Sequence, residues 1–397
     1  MNKRRIHFIA NCVYSDHVAG GDIHFFEMAR AALGAGYEVN FFGGHALQGH
    51  LADQKIAASI TLTDTRKMPP INLATRKGQI ALLADYTKRY LHSRRNLSGI
   101  APDDVVYGTT DFWFDMLPVV LSQSRRKLAI LHMQAPTLAQ VIKASRADVD
   151  PSRIAALHYW SGQRLSISRF ARCPRKRLLY VHPRMRADLL KRGYREDELQ
   201  YISFGVDPSP PGSQANIEKV YDIVWIGRVH RQKGIDDLLA TLKHLAARMP
   251  NFKALIIGKV QYELESRIQE LGLANYVRFS GFVSEEEKFR LFRASRVYLM
   301  PSRFEGSPRV IGEALVCNLP VVAYEVETYR GVFGEFLRYV RCYDLAKFKA
   351  EAEAQILAVR AGKNYLEGMD LAAFKKACSW ETAQQTFLTA LQELVDM

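Results

Sequence analysis

Two glutamates, Glu305 and Glu313, stand eight positions apart in the run Pro301-Ser302-Arg303-Phe304-Glu305-Gly306-Ser307-Pro308-Arg309-Val310-Ile311-Gly312-Glu313-Ala314-Leu315. A helix start lies between them. Ser307 is the type of residue that caps a helix, and Pro308 suits the first helical position, where no amide hydrogen is needed. Glu305 then falls in the loop before the helix, and Glu313 just over one turn inside it. The amides of Arg309 and Val310 would point out of the helix start, which is a natural anion site. Gly306 keeps the approach to those amides open. Carboxylates on either side of an anion site can grip an object about as long as a nucleotide sugar. Sugar hydroxyls would meet Glu305, a diphosphate the helix start from Ser307 to Val310, and ribose hydroxyls Glu313.

A second run, Tyr221-Asp222-Ile223-Val224-Trp225-Ile226-Gly227-Arg228-Val229-His230-Arg231-Gln232-Lys233-Gly234, reads as a buried strand ending at Gly227. Two cations follow, Arg228 and Lys233, around a turn that opens the next helix. Arginine offers a planar fork to phosphate oxygens and lysine a point charge. A diphosphate leaving group gains negative charge as its bond to a sugar breaks, and cations fixed there stabilise that charge without a metal. In open parallel sheets, ligands bind beyond the carboxyl ends of strands, where both cations fall. Taken singly, each of these charged residues also reads as a solvated surface charge.

Further candidates lie in the first half. Gly20-Gly21 follows the first strand and precedes a helical run, so the backbone can approach a ligand closely there. It is not a GxGxxG fingerprint, which argues against a dinucleotide cofactor. His132 closes a strand, where a histidine can hydrogen-bond a sugar hydroxyl or assist proton transfer; a satisfied core histidine is the alternative. His24, inside the first helix, and Asp111, a loop acid after Thr109-Thr110, are weaker acceptor-side candidates.

Gly227-Arg228, Lys233-Gly234, Pro301-Ser302, Glu305-Gly306 and Glu313-Ala314 together resemble the pattern of the retaining glycosyltransferases of family 4, which have the GT-B fold. The resemblance is strongest from about residue 221 to 324. It implies two Rossmann-like domains facing a central cleft, with a C-terminal helix that crosses back to the first domain. It also implies a nucleoside-diphosphate sugar donor held by the C-terminal domain, an acceptor held by the N-terminal one, and retention of anomeric configuration. The family carries a Gly-Gly loop near the donor phosphates and the acceptor, and often a histidine near the donor sugar, the places of Gly20-Gly21 and His132. Its loops at Gly258 and at Gly281-Phe282 border the nucleobase. Val260 departs from the pattern, standing where many relatives have a second glycine.

The whole chain fits such a reading. It has 397 residues, 48% hydrophobic and 24% charged, enough for two domains of roughly 200 residues. Strands are expected over 6–10, 38–42, 104–107, 128–132, 164–168 and 200–203, and again over 222–226, 253–257, 277–280, 297–300 and 319–323. Helices are expected over 236–248, 263–271, 285–293 and 308–316. That alternation describes an α/β protein with parallel sheets. Residues 1–207 form the expected first domain, 208–218 a Pro-rich linker, 219–379 the second domain and 380–397 a final helix. Closure about the linker would complete the site.

The five cysteines are scattered, without metal or disulfide spacing, and no apolar run is long enough to span a bilayer, so a reducing cytoplasm is the expected setting. No Asp-x-Asp is placed as a metal clamp, and metal independence is expected. The net charge of +14 is uneven: residues 1–210 hold 30 Lys+Arg and 18 Asp+Glu, leaving +12, and the remainder leaves +2. Dense points include Arg94-Arg95, Arg125-Arg126-Lys127 and Arg175-Lys176-Arg177. A basic first domain suits a lipid-diphosphate acceptor or an anionic membrane face, as in surface polysaccharide or lipid-linked oligosaccharide assembly; nucleic acid fits less well. Residues 68–98 would supply an amphipathic helix for a membrane, or simply a helix packed on the first sheet. Soluble acceptors, a nucleotide-sugar epimerase or phosphorylase on the same fold, and a basic membrane- or nucleic-acid-binding protein are the competing readings.

Overall fold

Short apolar runs bounded by glycine and polar residues form strands buried on both faces, as parallel sheets require. A computed structural model of the chain describes residues 4–14, 18, 20–64, 75–143, 153–212, 217–227, 229, 231–258 and 262–397. Two units emerge: residues Met1–Phe204 with Trp380–Met397, and Gly205–Ser379.

In the first unit, β1 (Arg5–Ile9), β2 (Glu38–Gly43), β3 (Ser59–Leu62), β4 (Val105–Gly108), β5 (Arg126–Leu131), β6 (Lys176–Tyr180) and β7 (Leu199–Tyr201) form one sheet. Its order is β3-β2-β1-β4-β5-β6-β7, and every pair is parallel. The helices are α1 (Gly20–Gly34), α2 (His45–Asp53), α3 (Arg76–Asn96), α4 (Trp113–Leu121), α5 (Leu138–Lys143), α6 (Arg153–Phe170) and α7 (Arg184–Lys191). The strand order reverses at β1 and β4, which makes their carboxyl ends the natural ligand crevice of this sheet.

Two expectations change here. Residues 164–168 are not a strand but the last turns of α6. The alternation of Leu165 and Ile167 imitates a strand, yet Gln163, Ser166, Ile167 and Phe170 are buried together at helical spacing while Leu165 is exposed. The strand that fills the place is β6, hidden in the sequence by its opening cations. Both are buried and paired: Lys176 Nζ lies 2.7 Å from Glu198 Oε1, and Arg177 Nε 2.7 Å from Glu393 Oε2. The Arg175-Lys176-Arg177 cluster is therefore a strand start rather than a free basic patch. Lys127 is buried as well, its ammonium donating to the carbonyls of Val119, Val120 and Ser122.

In the second unit, β8 (Tyr221–Ile226), β9 (Ala254–Ile257), β10 (Val277–Gly281), β11 (Ser295–Met300), β12 (Val321–Tyr324) and β13 (Arg338–Val340) form a parallel sheet in the order β10-β9-β8-β11-β12-β13. The helices are α8 (Ile235–Arg248), α9 (Tyr262–Glu270), α10 (Glu285–Arg293), α11 (Arg309–Val316), α12 (Tyr329–Phe333), α13 (Leu345–Arg360) and α14 (Leu371–Ala377). The order reverses at β8 and β11, so the loops after these two strands meet at the switch point. They are the loops of Lys233 and Glu305.

The last helix, α15 (Trp380–Asp396), belongs to the first unit. Ala383, Phe387, Ala390, Leu391 and Leu394 form its buried stripe, and Phe387 meets Tyr107 of β4 at 5.3 Å between ring centroids.

Candidate functional site

Lys233 closes a short 3-10 turn (Arg231–Lys233) after β8, and Gly234 follows as the cap of α8. Gly234 is left-handed, at φ 66°, and a Cβ on it would stand 2.0 Å from the carbonyl oxygen of Pro301. Only glycine lets the two loops pass this closely. Arg303 N donates to Gln232 O at 2.9 Å and Gln232 Nε2 to Phe304 O at 2.7 Å, fastening them together. The result is an ion pair across 72 residues of sequence: Lys233 Nζ lies 2.5 Å from Glu305 Oε1. Thr328 Oγ1 donates to Glu305 O at 3.1 Å, holding the loop from the other side. Arg228, the second expected cation, lies outside the described residues, as do Lys259 and Val260.

The helix after this loop starts one residue later than expected. Pro308, not Ser307, occupies the cap of α11, at ψ 104°, and no side chain caps it. Ser307 Oγ is instead turned inward, buried without a hydrogen-bond partner among the described residues. Residues preceding proline avoid the helical region, so the loop stays extended through Ser307 and the helix begins at Arg309. Arg309 and Val310 still carry the first amides of α11, which precede any intrahelical acceptor.

Glu313 is buried, and one of its oxygens, Oε1, lies 3.0 Å from Arg309 Nε and 2.9 Å from Lys288 Nζ. Lys288, on α10, is itself buried and also pairs with Glu285 at 2.8 Å. Sequence reasoning did not find it, because a Glu-Glu-Glu-Lys run reads as a solvated helix face. Tyr298 of β11 is buried within the field of both glutamates. Burial pushes its hydroxyl well above the usual tyrosine range, and the charges of Glu305 and Glu313 push the same way. Tyr329 is wholly buried, its hydroxyl has no hydrogen-bond partner among the described residues, and burial followed by the charge of Glu305 raises it similarly. Both phenols are therefore neutral at physiological pH.

Gly227, Gly258 and Gly281 end three adjacent strands. Gly258, at φ 135°, would place a Cβ 2.9 Å from Gly227 O, and its amide donates to Gly281 O at 3.0 Å. Phe282, next in the chain, is 70% exposed, a large aromatic surface at the carboxyl end of β10.

In the first unit, Gly20 and Gly21 are the opening residues of α1 rather than a loop before it, and among the described residues nothing beyond the chain neighbours and the helix itself comes within 4 Å of the Cβ position of either. Packing within the described protein thus places no demand for glycine there. His132 stands just past β5, half-buried, with Nε2 3.2 Å from Thr109 O. Burial lowers its pKa, against the opposing pull of Asp111, so it is neutral at pH 7. His24, buried on α1, meets it edge-on at 5.6 Å. Asp111 is buried and accepts from Tyr159 OH at 2.6 Å and Gln163 Nε2 at 2.8 Å. Around it runs a ladder of rings, Tyr86–Phe114–Phe112–Tyr159, at 4.0, 5.3 and 5.4 Å between centroids.

Asp115, which the sequence did not single out, ties the crevice loops together. Its Oδ1 accepts from Asn11 N at 2.7 Å and its Oδ2 from Thr110 Oγ1 at 2.5 Å. Burial pushes its carboxyl up to about 7, although these hydrogen bonds oppose the shift. A raised carboxyl binds its proton more tightly in the folded state. Its contribution is therefore full below the unfolded pKa near 4 and is lost as pH rises through about 7. Asp115→Asn should flatten that dependence. The difference in urea unfolding free energy between variant and parent should change by on the order of 4 kcal/mol in favour of the variant from pH 4 to pH 8. Parallel curves would show that Asp115 ionises normally. Among the described residues, no group of three or more His, Cys, Asp and Glu is placed to hold a metal ion.

Residues 211–347 match the family of glycosyl transferases group 1. The α-galactosylglucosyldiacylglycerol synthase of Streptococcus pneumoniae is 25% identical over 270 residues, covering 63% of this chain and 67% of its own. The phosphatidyl-myo-inositol mannosyltransferase of Mycolicibacterium smegmatis is 34% identical over 115 residues, 28% of this chain and 30% of its own. An uncharacterized glycosyltransferase of Methanocaldococcus jannaschii matches over 33% of its length, so two of these three alignments span about a third of the relatives they match. Among solved structures, sucrose-phosphate synthase from Thermosynechococcus elongatus superposes over 99% of this chain and 100% of its own with a TM-score of 0.72 at 17% identity. Anabaena HepE in complex with UDP and glucose covers 98% of this chain and 99% of its own, at a TM-score of 0.66 and 16% identity.

The two parallel sheets, each with its switch-point crevice, are those of the GT-B fold of glycosyltransferases. The match to the group 1 glycosyl transferases spans residues 211–347, the stretch that contains both the Lys233–Glu305 pair and Glu313.

Proposed function

We propose that this protein transfers a hexosyl residue from a nucleoside-diphosphate sugar to an acceptor hydroxyl with retention of configuration. The observation that carries the reading is the Lys233–Glu305 ion pair at the sheet's switch point, beside the start of α11. Glu305 orients the donor sugar. Lys233, Arg228 and the amides of Ser307, Arg309 and Val310 receive the diphosphate and stabilise the charge it gains on departure. Both ion pairs of Glu313 fall on Oε1, so the ribose contact is assigned to its other oxygen. Phe282 and the Gly258 and Gly281 loops border the base. The leaving diphosphate takes the acceptor proton at the face it departs from, and no metal is required.

Acceptor binding is assigned to the first unit. His132, His24 and Asp111 offer polar contacts, and the Phe112–Tyr159 rings present apolar faces suited to a sugar ring. The S. pneumoniae synthase and the M. smegmatis mannosyltransferase favour a lipid-linked acceptor at the cytoplasmic face of a membrane, and HepE with UDP favours a uridine donor.

The test is a thermal-shift panel with UDP, GDP, ADP and their common sugar conjugates, with and without EDTA. One nucleotide family at about 100 times its Kd should add ~2.7 kcal/mol, a shift of roughly 5–10 °C. EDTA should leave the shift intact, and Glu313→Ala should abolish it. If no nucleotide shifts the transition, the donor site is refuted.

A further inference from the structure

The exposed aliphatic side chains of the first unit are concentrated on one layer of helices. On α3, Ile80, Leu83 and Leu91 face solvent; α5 exposes Leu138 and Ile142, and α6 exposes Ile154, Leu157 and Leu165. Ile80 is 68% exposed, Ile142 65% and Ile154 81%. These are not scattered residues. Positions 80, 83, 87 and 91 on α3 and 154, 157, 161 and 165 on α6 follow the same helical spacing, so each helix turns one stripe outward. Both helices pack against α4. Trp113 of α4 wedges between them, 5.3 Å from the Tyr90 ring of α3 and donating through Nε1 to His158 of α6 at 3.1 Å. Short α5 packs on α6.

Among the described residues, the charge exposed on these helices has one sign. Arg76, Lys77, Lys88, Arg94 and Arg95 on α3, Lys143 on α5, and Arg153, Arg164 and Arg169 on α6 are exposed. Helices α5 and α6 contain no acidic residue, and α3 and α4 contain one each. Those two are occupied internally: Asp85 pairs with the buried Arg89 at 2.6 Å, and Asp115 is buried. The segment joining α5 to α6 lies outside the described residues and plays no part here.

Exposed isoleucines among cations that no acid on these helices opposes suit one kind of surface. Nucleic acid would use the cations but would gain nothing from aliphatic tips held in water. An anionic bilayer uses both, with aliphatic side chains entering the acyl boundary and cations meeting lipid phosphates. Among the described residues no helix is long and apolar enough to cross a membrane, so contact would be interfacial. We propose that the exposed face of α3, α5 and α6 docks this protein on an anionic lipid surface. The inference goes beyond the transferase reading and uses none of its site residues, so either can fail without the other.

The experiment is vesicle flotation of the full chain with phosphatidylcholine alone and with phosphatidylcholine mixed with phosphatidylglycerol. Flotation should require phosphatidylglycerol and weaken with salt. Ile142→Ser combined with Ile154→Ser, which leaves charge unchanged, should reduce the partition coefficient about ten-fold or more. Lys88→Gln combined with Arg164→Gln should reduce it and also flatten its salt dependence. Unchanged thermal unfolding of both variants would assign the losses to the surface. Flotation by the serine variant equal to that of the parent, or no preference for phosphatidylglycerol, would overturn the proposal. So would tighter binding to a duplex oligonucleotide that the serine changes do not affect.

Discussion

Replacing Lys233 with methionine is expected to lower kcat by about 10²–10³, with a much smaller change in KM for the donor. The ammonium sits 2.5 Å from Glu305 Oε1, where the proposed leaving diphosphate gains charge. A cation that acts on a charge developed only in the transition state affects kcat rather than ground-state binding. Methionine keeps the length and apolar contacts of the stem, so the loop should survive. Glu305 is nearly buried and would lose its partner, so some stability is lost as well. Glu305→Gln should fall in the same range by a different route, losing the charge that orients the sugar. Because the two residues act as a unit, the double variant should be little worse than either single one. Initial rates with the donor identified by the nucleotide panel decide the matter. A Lys233→Met enzyme within three-fold of the parent kcat (about 0.6 kcal/mol) would remove this pair from the chemistry.

Gly234→Ala should cost the second unit far more stability than an ordinary glycine-to-alanine change. Two costs add. The residue is at φ 66°, where a Cβ costs about 1–2 kcal/mol. The new Cβ would also stand 2.0 Å from Pro301 O, a backbone atom at the end of β11 that has no rotamer to escape into. Either the turn or the Glu305 loop must shift, and the expected total is about 3 kcal/mol or more. For a unit of this size that is a fall in Tm of roughly 6–12 °C. Gly272→Ala is the control: it shares the left-handed backbone, at φ 70°, but nothing lies within 4 Å of its Cβ position. It carries only the first cost and should lower Tm by about 2–8 °C. Calorimetry that finds equal shifts for the two variants would show that the close approach to Pro301 is not a real constraint.

The parts of the candidate site that were legible in the sequence share one property. Lys233 and Glu305 each follow a short apolar run with a glycine and a helix start nearby, and in a parallel sheet such positions converge at the carboxyl edge whatever the rest of the fold does. Most strands were legible for a similar reason, since buried parallel strands are nearly continuous apolar runs. Strand β6 was not, because it opens on Lys176-Arg177. Helix α6 was misread over 164–168, because five residues of alternating polarity satisfy both periods.

The sequence by itself determined the α/β class, the two sheets, the placing of Lys233 and Glu305 at strand ends, and the excess of positive charge in the first half. It did not determine which charges face water. Lys127, Lys176, Arg177 and Arg89 count toward the +12 yet are buried against carbonyls or carboxylates, while the cations of α3, α5 and α6 stay exposed beside isoleucines. Nor did it reveal Lys288 behind Glu313, or Asp115 behind the Asn11 and Thr110 loops. A strand or a cap is set by a few adjacent residues. The burial of a charge depends on a partner brought from elsewhere in the chain, and only the tertiary structure supplies that partner.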